Sequence, residues 1–204
     1  MTDRIERMLR VGGDSDGVGE ALERFLAAAD DSGLVDVAYS RADSPFGDLL
    51  VAATPSGLVR IGFLRTGTEE EVVGDLAARV SPRVLESPAR LDDVRRQLDE
   101  YFEGRRRRFE LRTDRRLIRG FARKVLGQTA RIPYGSFLTY AEVAAEAGNP
   151  RAHRAAGSAL ARNPIPIVIP CHRVLRSGGV VGNYGGGPEM KARLLAMEGA
   201  HVRR

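Results

Sequence analysis

Asn163-Pro164-Ile165-Pro166-Ile167-Val168-Ile169-Pro170-Cys171-His172-Arg173-Val174 is the stretch from which the rest of this 204-residue chain is read. Three prolines in seven residues fix φ and exclude a regular helix. With Ile165, Ile167, Val168 and Ile169 apolar, the segment reads as a rigid, buried, extended rail. At its end stands the only cysteine of the chain, followed at once by a histidine. Most lone cysteines are inert small hydrophobes, but rigid presentation beside an imidazole points to a nucleophile. A thiol with a pKa of about 8.5 is largely protonated at neutral pH and needs a base or a positive field. His172 supplies the base; as sequence neighbours the two side chains can point apart and act through a bridging water. A base is itself oriented by a third group, and Glu198, just after the helical stretch 189–197, is the candidate. Asn163 can add a hydrogen bond that shapes the turn carrying Cys171.

Upstream lies a helix-turn-helix pattern. Thr139 with Glu142 three residues on makes a capping box for a helix over 140–147, and Gly148-Asn149-Pro150 turns the chain. A second helix spans 151–162. It is rich in small residues (Ala152, Ala155, Ala156, Gly157, Ser158, Ala159) and carries donors at Arg151, His153, Arg154 and Arg162. A glycine inside a helix costs about 1 kcal/mol against alanine. Gly157 therefore reflects either close helix packing or approach to a DNA minor groove only about 6 Å wide. Before this pair, an amphipathic helix over 117–130 aligns Leu117, Phe121, Ala122, Val125 and Leu126 and stops at Ile132-Pro133-Tyr134-Gly135. Downstream, Gly178–Pro188 is glycine-rich, but no GKS or GKT follows, so a P-loop is rejected. Its bare glycines and Tyr184 read as a close-fitting lid over a flat ligand, or else as a mobile hairpin.

The first half has a different period. Val35, Val37 and Tyr39 alternate, Leu49–Ala53 and Leu58–Phe63 run apolar, and Pro/Gly turns separate them, as in an antiparallel meander. Helices over 69–80 and 91–102 follow, so this half is a small α+β unit with no catalytic cluster. Gly104 and Arg105–Arg108 mark a boundary whose arginines read as a solvated linker face. Residues 1–33 look like an extension, with helical faces at Ile5, Met8, Leu9 and at Leu22, Phe25, Leu26, Ala29. The expected units are thus 1–33, 34–110 and 111–204.

Composition limits the function classes. The chain is 43% hydrophobic and 29% charged, an ordinary globular balance. No apolar run approaches the roughly 18 residues of a membrane span, no signal-peptide pattern opens the chain, and one cysteine cannot build a disulfide framework. A cytoplasmic protein is expected. Three histidines, at 153, 172 and 201, show no metal-ligand spacing, so no metal and no cofactor is expected. The net charge of +5 conceals an asymmetry: residues 1–104 carry 12 Arg/Lys against 21 Asp/Glu, and residues 105–204 carry 20 against 6. A basic C-terminal half suggests a polyanionic partner; GC-rich codon bias is the alternative source of the arginines.

With these residues quoted, the chain resembles the O6-alkylguanine-DNA alkyltransferases, also called methylated-DNA–protein-cysteine methyltransferases. Pro170–Val174 matches the family's PCHRV motif, and 163–169, Ile132–Gly135, Tyr140, Asn149-Pro150, Arg154 and Gly182-Asn183-Tyr184 match around it. The resemblance spans roughly 36–200 and is strongest over 117–199. It implies an α+β fold: a small antiparallel-sheet, ribonuclease-H-like unit, then a mainly helical, winged-helix-like DNA-binding domain. It implies a protein that flips O6-alkylguanine, and O4-alkylthymine, from double-stranded DNA and transfers the alkyl group irreversibly to Cys171. The partner would be alkylated DNA, bound by a monomer with cooperativity on DNA left open.

By resemblance, His172 and Glu198 would form the activating relay, with Asn163 supporting the turn and Tyr140 aiding the leaving guanine. Arg154 would fill the gap left in the duplex, and Arg151, Ala152, Ala155 and Gly157 would meet the minor groove. Tyr140, Val174, Tyr184, Gly185 and Gly186 would line the guanine pocket. The chain departs from the pattern at Gly127, where members often carry a bulky residue, and in residues 1–33. A non-catalytic alkylated-DNA-binding protein is the rival reading, and Cys171 argues against it. A thiol hydrolase is a third, opposed by the DNA-binding helices.

Overall fold

The computed structural model describes residues 35–200 together with Gly33 and Val202, and residues 36–204 form one compact unit. The helical faces expected in 1–33, and His201, lie outside the described residues. Three strands, β1 (Val37–Ala42), β2 (Leu49–Thr54) and β3 (Gly57–Phe63), form the antiparallel meander, pairing Tyr39 with Ala52 and Val51 with Ile61. A short strand the sequence reading missed, β4 (Val84–Glu86), adds to β1 in parallel, so the sheet runs β3-β2-β1-β4 and is mixed. Three residues beside Pro82 are too few to show a period.

Strand geometry sends successive side chains to opposite faces, and β2 is covered on both. Leu50 and Ala52 pack with Val72 and Leu76 of α1 (Glu69–Arg79), which opens on a Thr68/Glu71 capping box. Leu49 and Val51 face Leu91 and, from α2 (Asp92–Phe102), Val94, Leu98 and Tyr101. This second core continues without a break into the helical half through Val125, Val143, Ala156, Ile165 and Cys171. Arg105, Arg107 and Arg108 in the connection after α2 are exposed, as expected of a solvated face, but the backbone there is docked. Arg106 donates to Glu100, and the Glu110 amide donates to Gln97. Leu58 and Asp114 bond along the edge of β3. Gly57 permits the approach: at φ +128, a Cβ there would lie 2.3 Å from the Arg112 carbonyl oxygen.

In the helical half, α3 (Gly120–Thr129) starts three residues later than expected. Gly120 sits at φ +55, which breaks the right-handed path, and Leu117 packs instead with the sheet's α1-side core. The helix pair is α4 (Tyr140–Glu146), with the expected capping box at Thr139, and α5 (His153–Ala161). Arg151 and Ala152 therefore precede α5, and do not belong to it. A two-stranded parallel sheet, β5 (Leu138–Thr139) with β6 (Val174–Leu175), ties the segment before α4 to the segment after Cys171. Helix α6 (Pro188–Met197) closes the unit.

The expected extended rail is a tight loop. The Ile169 amide donates to the Ile165 carbonyl at 2.9 Å, and Ile167 adopts φ 73. Proline rules out a helix without requiring extension, and the loop's own hydrogen bonds hold a β-branched residue in a conformation that costs about 1–3 kcal/mol.

Candidate active site

Asn163, just beyond α5, clamps this loop at three points. Its Oδ1 accepts from the Ile165 amide at 3.1 Å, and its Nδ2 donates to Ile169 O at 2.8 Å and to Cys171 Sγ at 3.2 Å. Cys171 then opens a 3-10 turn over Cys171–Arg173. Burial pushes the thiol pKa up, opposed by the Asn163 hydrogen bond and the charge of Lys191.

The His172 ring is fully buried, with Nε2 2.9 Å from Glu198 Oε1. Burial lowers its pKa against the pull of Glu198, so the ring is neutral. Facing a carboxylate, Nε2 carries the proton and Nδ1 is the basic nitrogen. Nδ1 is buried without a protein hydrogen-bond partner, and no hydrogen bond joins the ring directly to Cys171 Sγ.

Glu198, the C-cap of α6, collects donors from three parts of the chain, the turn of His172 and Arg173, α2 and the Gly135 amide. Arg173 donates from Nε at 2.8 Å and Nη2 at 2.9 Å, Tyr101 of α2 from its hydroxyl at 2.6 Å, and the Gly135 amide at 3.3 Å. Burial alone would raise this carboxyl, but the bonds from His172 and Arg173 prevail and hold it at about 2. Gly135 has φ +76, and a Cβ there would stand 2.9 Å from the Glu198 carbonyl. Arg173 is anchored in turn on Ile132 O at 2.6 Å.

Tyr140, Arg154, Gly157, Cys171, Arg176, Tyr184 and Gly185 surround one cavity of about 690 Å³. Tyr140 enters from the first turn of α4, and Arg154 and Gly157 from α5. A Cβ at Gly157 would make only ordinary contact with the Tyr140 ring at 3.8 Å, so helix packing does not require this glycine. Gly182 is tighter, its Cβ position 3.2 Å from Tyr140 Oη. The Tyr184 ring packs on Phe63 at 5.5 Å and edge-on to His172 at 6.3 Å, and its buried hydroxyl has no partner.

Other expected residues sit elsewhere. Val174 is buried in β6 and Gly186 packs against Met190, neither of them on the cavity wall. Arg151 is exposed ahead of α5, Ala152 is its N-cap, and Ala155 lines an adjoining groove that also reaches Cys171.

Three participants escaped the sequence reading. Arg173 stands in the motif without an assigned role, and Tyr101 falls within the helix expected over 91–102 with nothing local to single it out. Lys191 carried no local signal. It is fully buried, donates to Val174 O at 2.5 Å and lies 5.7 Å from the Tyr140 ring centre. Burial lowers its pKa to about 8. Among the described residues no group of His, Cys, Asp or Glu is arranged to hold a metal ion, and no helix is long and apolar enough to cross a membrane.

Fold and site define a helix-turn-helix protein that holds a buried cysteine next to a His–Glu pair. Two family models match: the DNA-binding domain of 6-O-methylguanine DNA methyltransferase over residues 120–200, and its ribonuclease-like domain over 37–115. The chain is 36% identical to a methylated-DNA–protein-cysteine methyltransferase of Methanosarcina barkeri, across 81% of this chain and 99% of that one. It is 37% identical to the human protein of that name, across 77% and 78%. A crystal structure of Mycobacterium tuberculosis OGT in complex with DNA aligns with TM-score 0.68 at 34% identity, across 79% and 92%. The chain belongs to the 6-O-methylguanine DNA methyltransferase family.

Proposed function

We propose that this chain repairs alkylated double-stranded DNA by moving the alkyl group from O6 of a flipped guanine, or O4 of thymine, onto Cys171 Sγ, once per molecule. It would act in the cytoplasm, with 34–110 and 111–204 as its two domains. The observation that carries the reading is the Asn163-clamped Cys171 at the wall of the cavity shared with Tyr140 and Arg154.

The thiol proton passes through a water to His172 Nδ1, the imidazolium being stabilised by Glu198. The thiolate attacks the alkyl carbon, a carbon–sulfur bond forms as the carbon–oxygen bond breaks, and the electron pair leaves on guanine. Tyr140 donates a hydrogen bond to the departing base, with the Lys191 ammonium beneath its ring. Arg154 occupies the gap in the duplex. The product is a thioether, which general acid–base groups cannot hydrolyse, and no second thiol is present to accept the group.

Intact-mass analysis after mixing with O6-methylguanine duplex should show a gain of one methylene, located on Cys171, with Cys171→Ser showing none. More than one mole of guanine restored per mole of protein would refute single turnover.

A further inference from the structure

In the sheet half, cations pair with carboxylates: Arg41 with Glu69, Arg79 with Asp75, Arg83 with Asp36 and Arg96 with Glu100. Between residues 107 and 131 only Arg116 keeps such a partner, in Asp114. Arg107, Arg108, Arg115, Arg123, Lys124 and Arg131 make no ion pair, and five of the six are exposed. They line two grooves, of about 600 and 440 Å³, that share Arg115, Ala130 and Arg131 and so form one track. Neither groove shares a wall residue with the cavity that holds Cys171, Tyr140 and Arg154.

The track is built rather than loose. Arg106 donates to Arg108 O and to Glu100, and Arg107 lies over the Tyr134 ring at 5.6 Å. Gly127 lines the track in the middle of α3, where a Cβ would meet nothing within 4 Å. A helical glycine costs about 1 kcal/mol against alanine. Packing does not explain it, and its absent side chain keeps the groove bare. Glu146 is the one carboxylate residue on these walls.

We infer that this track is a second nucleic-acid site, holding the phosphate backbone of a DNA segment other than the one read by α5. Six cations with no ion-pair partner, and one carboxylate residue on the walls, repel one another, and a polyanion relieves that repulsion while releasing its own counterions. The inference rests on the DNA-repair reading above. It adds that one chain holds two duplex segments at once.

The test uses the full chain with an excess of a duplex of about 12 base pairs, little more than one helical turn. At low salt, sedimentation should find two duplexes per wild-type chain. Arg108→Glu/Arg123→Glu/Lys124→Glu should bind one, and the neutral Arg123→Gln/Lys124→Gln should weaken the second. With these three cations gone, the slope of log K against log salt on long DNA should fall by about 3. Alkyl transfer from a short duplex should be unchanged in both variants. One duplex per wild-type chain, or a second duplex retained by the triple variant, overturns the inference. Failure of wild type to take an alkyl group would instead refute the repair reading.

Discussion

At the scale of single residues, Glu198 is the charge on which the site depends. Its folded pKa of about 2 is depressed from 4.5. The stability it contributes is therefore present above about 4.5 and lost as pH falls toward about 2, a loss of about 3 kcal/mol. Denaturant melts across that window should show the loss in wild type, and Glu198→Gln should flatten it. The same variant and His172→Ala should slow alkyl transfer while leaving DNA affinity near wild type; unchanged rates would remove both from the relay. Tyr101 donates to this carboxylate from the sheet half, so Tyr101→Phe should cost about 2 kcal/mol, the worth of a hydrogen bond to a charged group. Lys191 loses its proton near pH 8, and the alkyl-transfer rate should show an inflection there that Lys191→Met lacks.

At the scale of elements, α4 and α5 place the two side chains that meet DNA in the proposed reaction. Thr139 and its capping box set where α4 begins, and hence where Tyr140 points. Thr139→Ala should cost about 1 kcal/mol in a thermal or denaturant melt. Arg154 lies on α5 at the cavity wall, 17 residues before Cys171 in sequence. Arg154→Ala should slow repair of duplex DNA more than reaction with free O6-benzylguanine, since only the duplex needs its gap filled. Equal losses on both substrates would count against that role. The capping box, the strand meander and α2 were legible because each is written in a local pattern of spacing. Strand β4 was not, being three residues long, and α3 was read three residues too early because its apolar pattern runs through Gly120.

At the scale of the whole molecule, one apolar core runs from the sheet into the helical half, so Tyr101 and Glu198 meet although 97 residues separate them. The charge asymmetry is also a property of the whole. The basic half should give DNA binding that weakens steeply with salt and depends little on sequence, measurable as a linear fall of log K with log salt.

The sequence by itself singled out Cys171, its neighbour His172 and the helix pair, because a motif of twelve residues and a capping box are local features; Glu198 it could offer only as a candidate. Only the tertiary structure decided how the site is held. Asn163 turns a proline-rich segment into a loop about Ile167, Arg173 and Tyr101 converge on Glu198, and Lys191 is buried under Tyr140. Apart from the short-range clamp of Asn163, those contacts join residues far apart in the chain, and burial, which shifts the proton affinities of Cys171, His172 and Lys191, exists only once the core has closed around them.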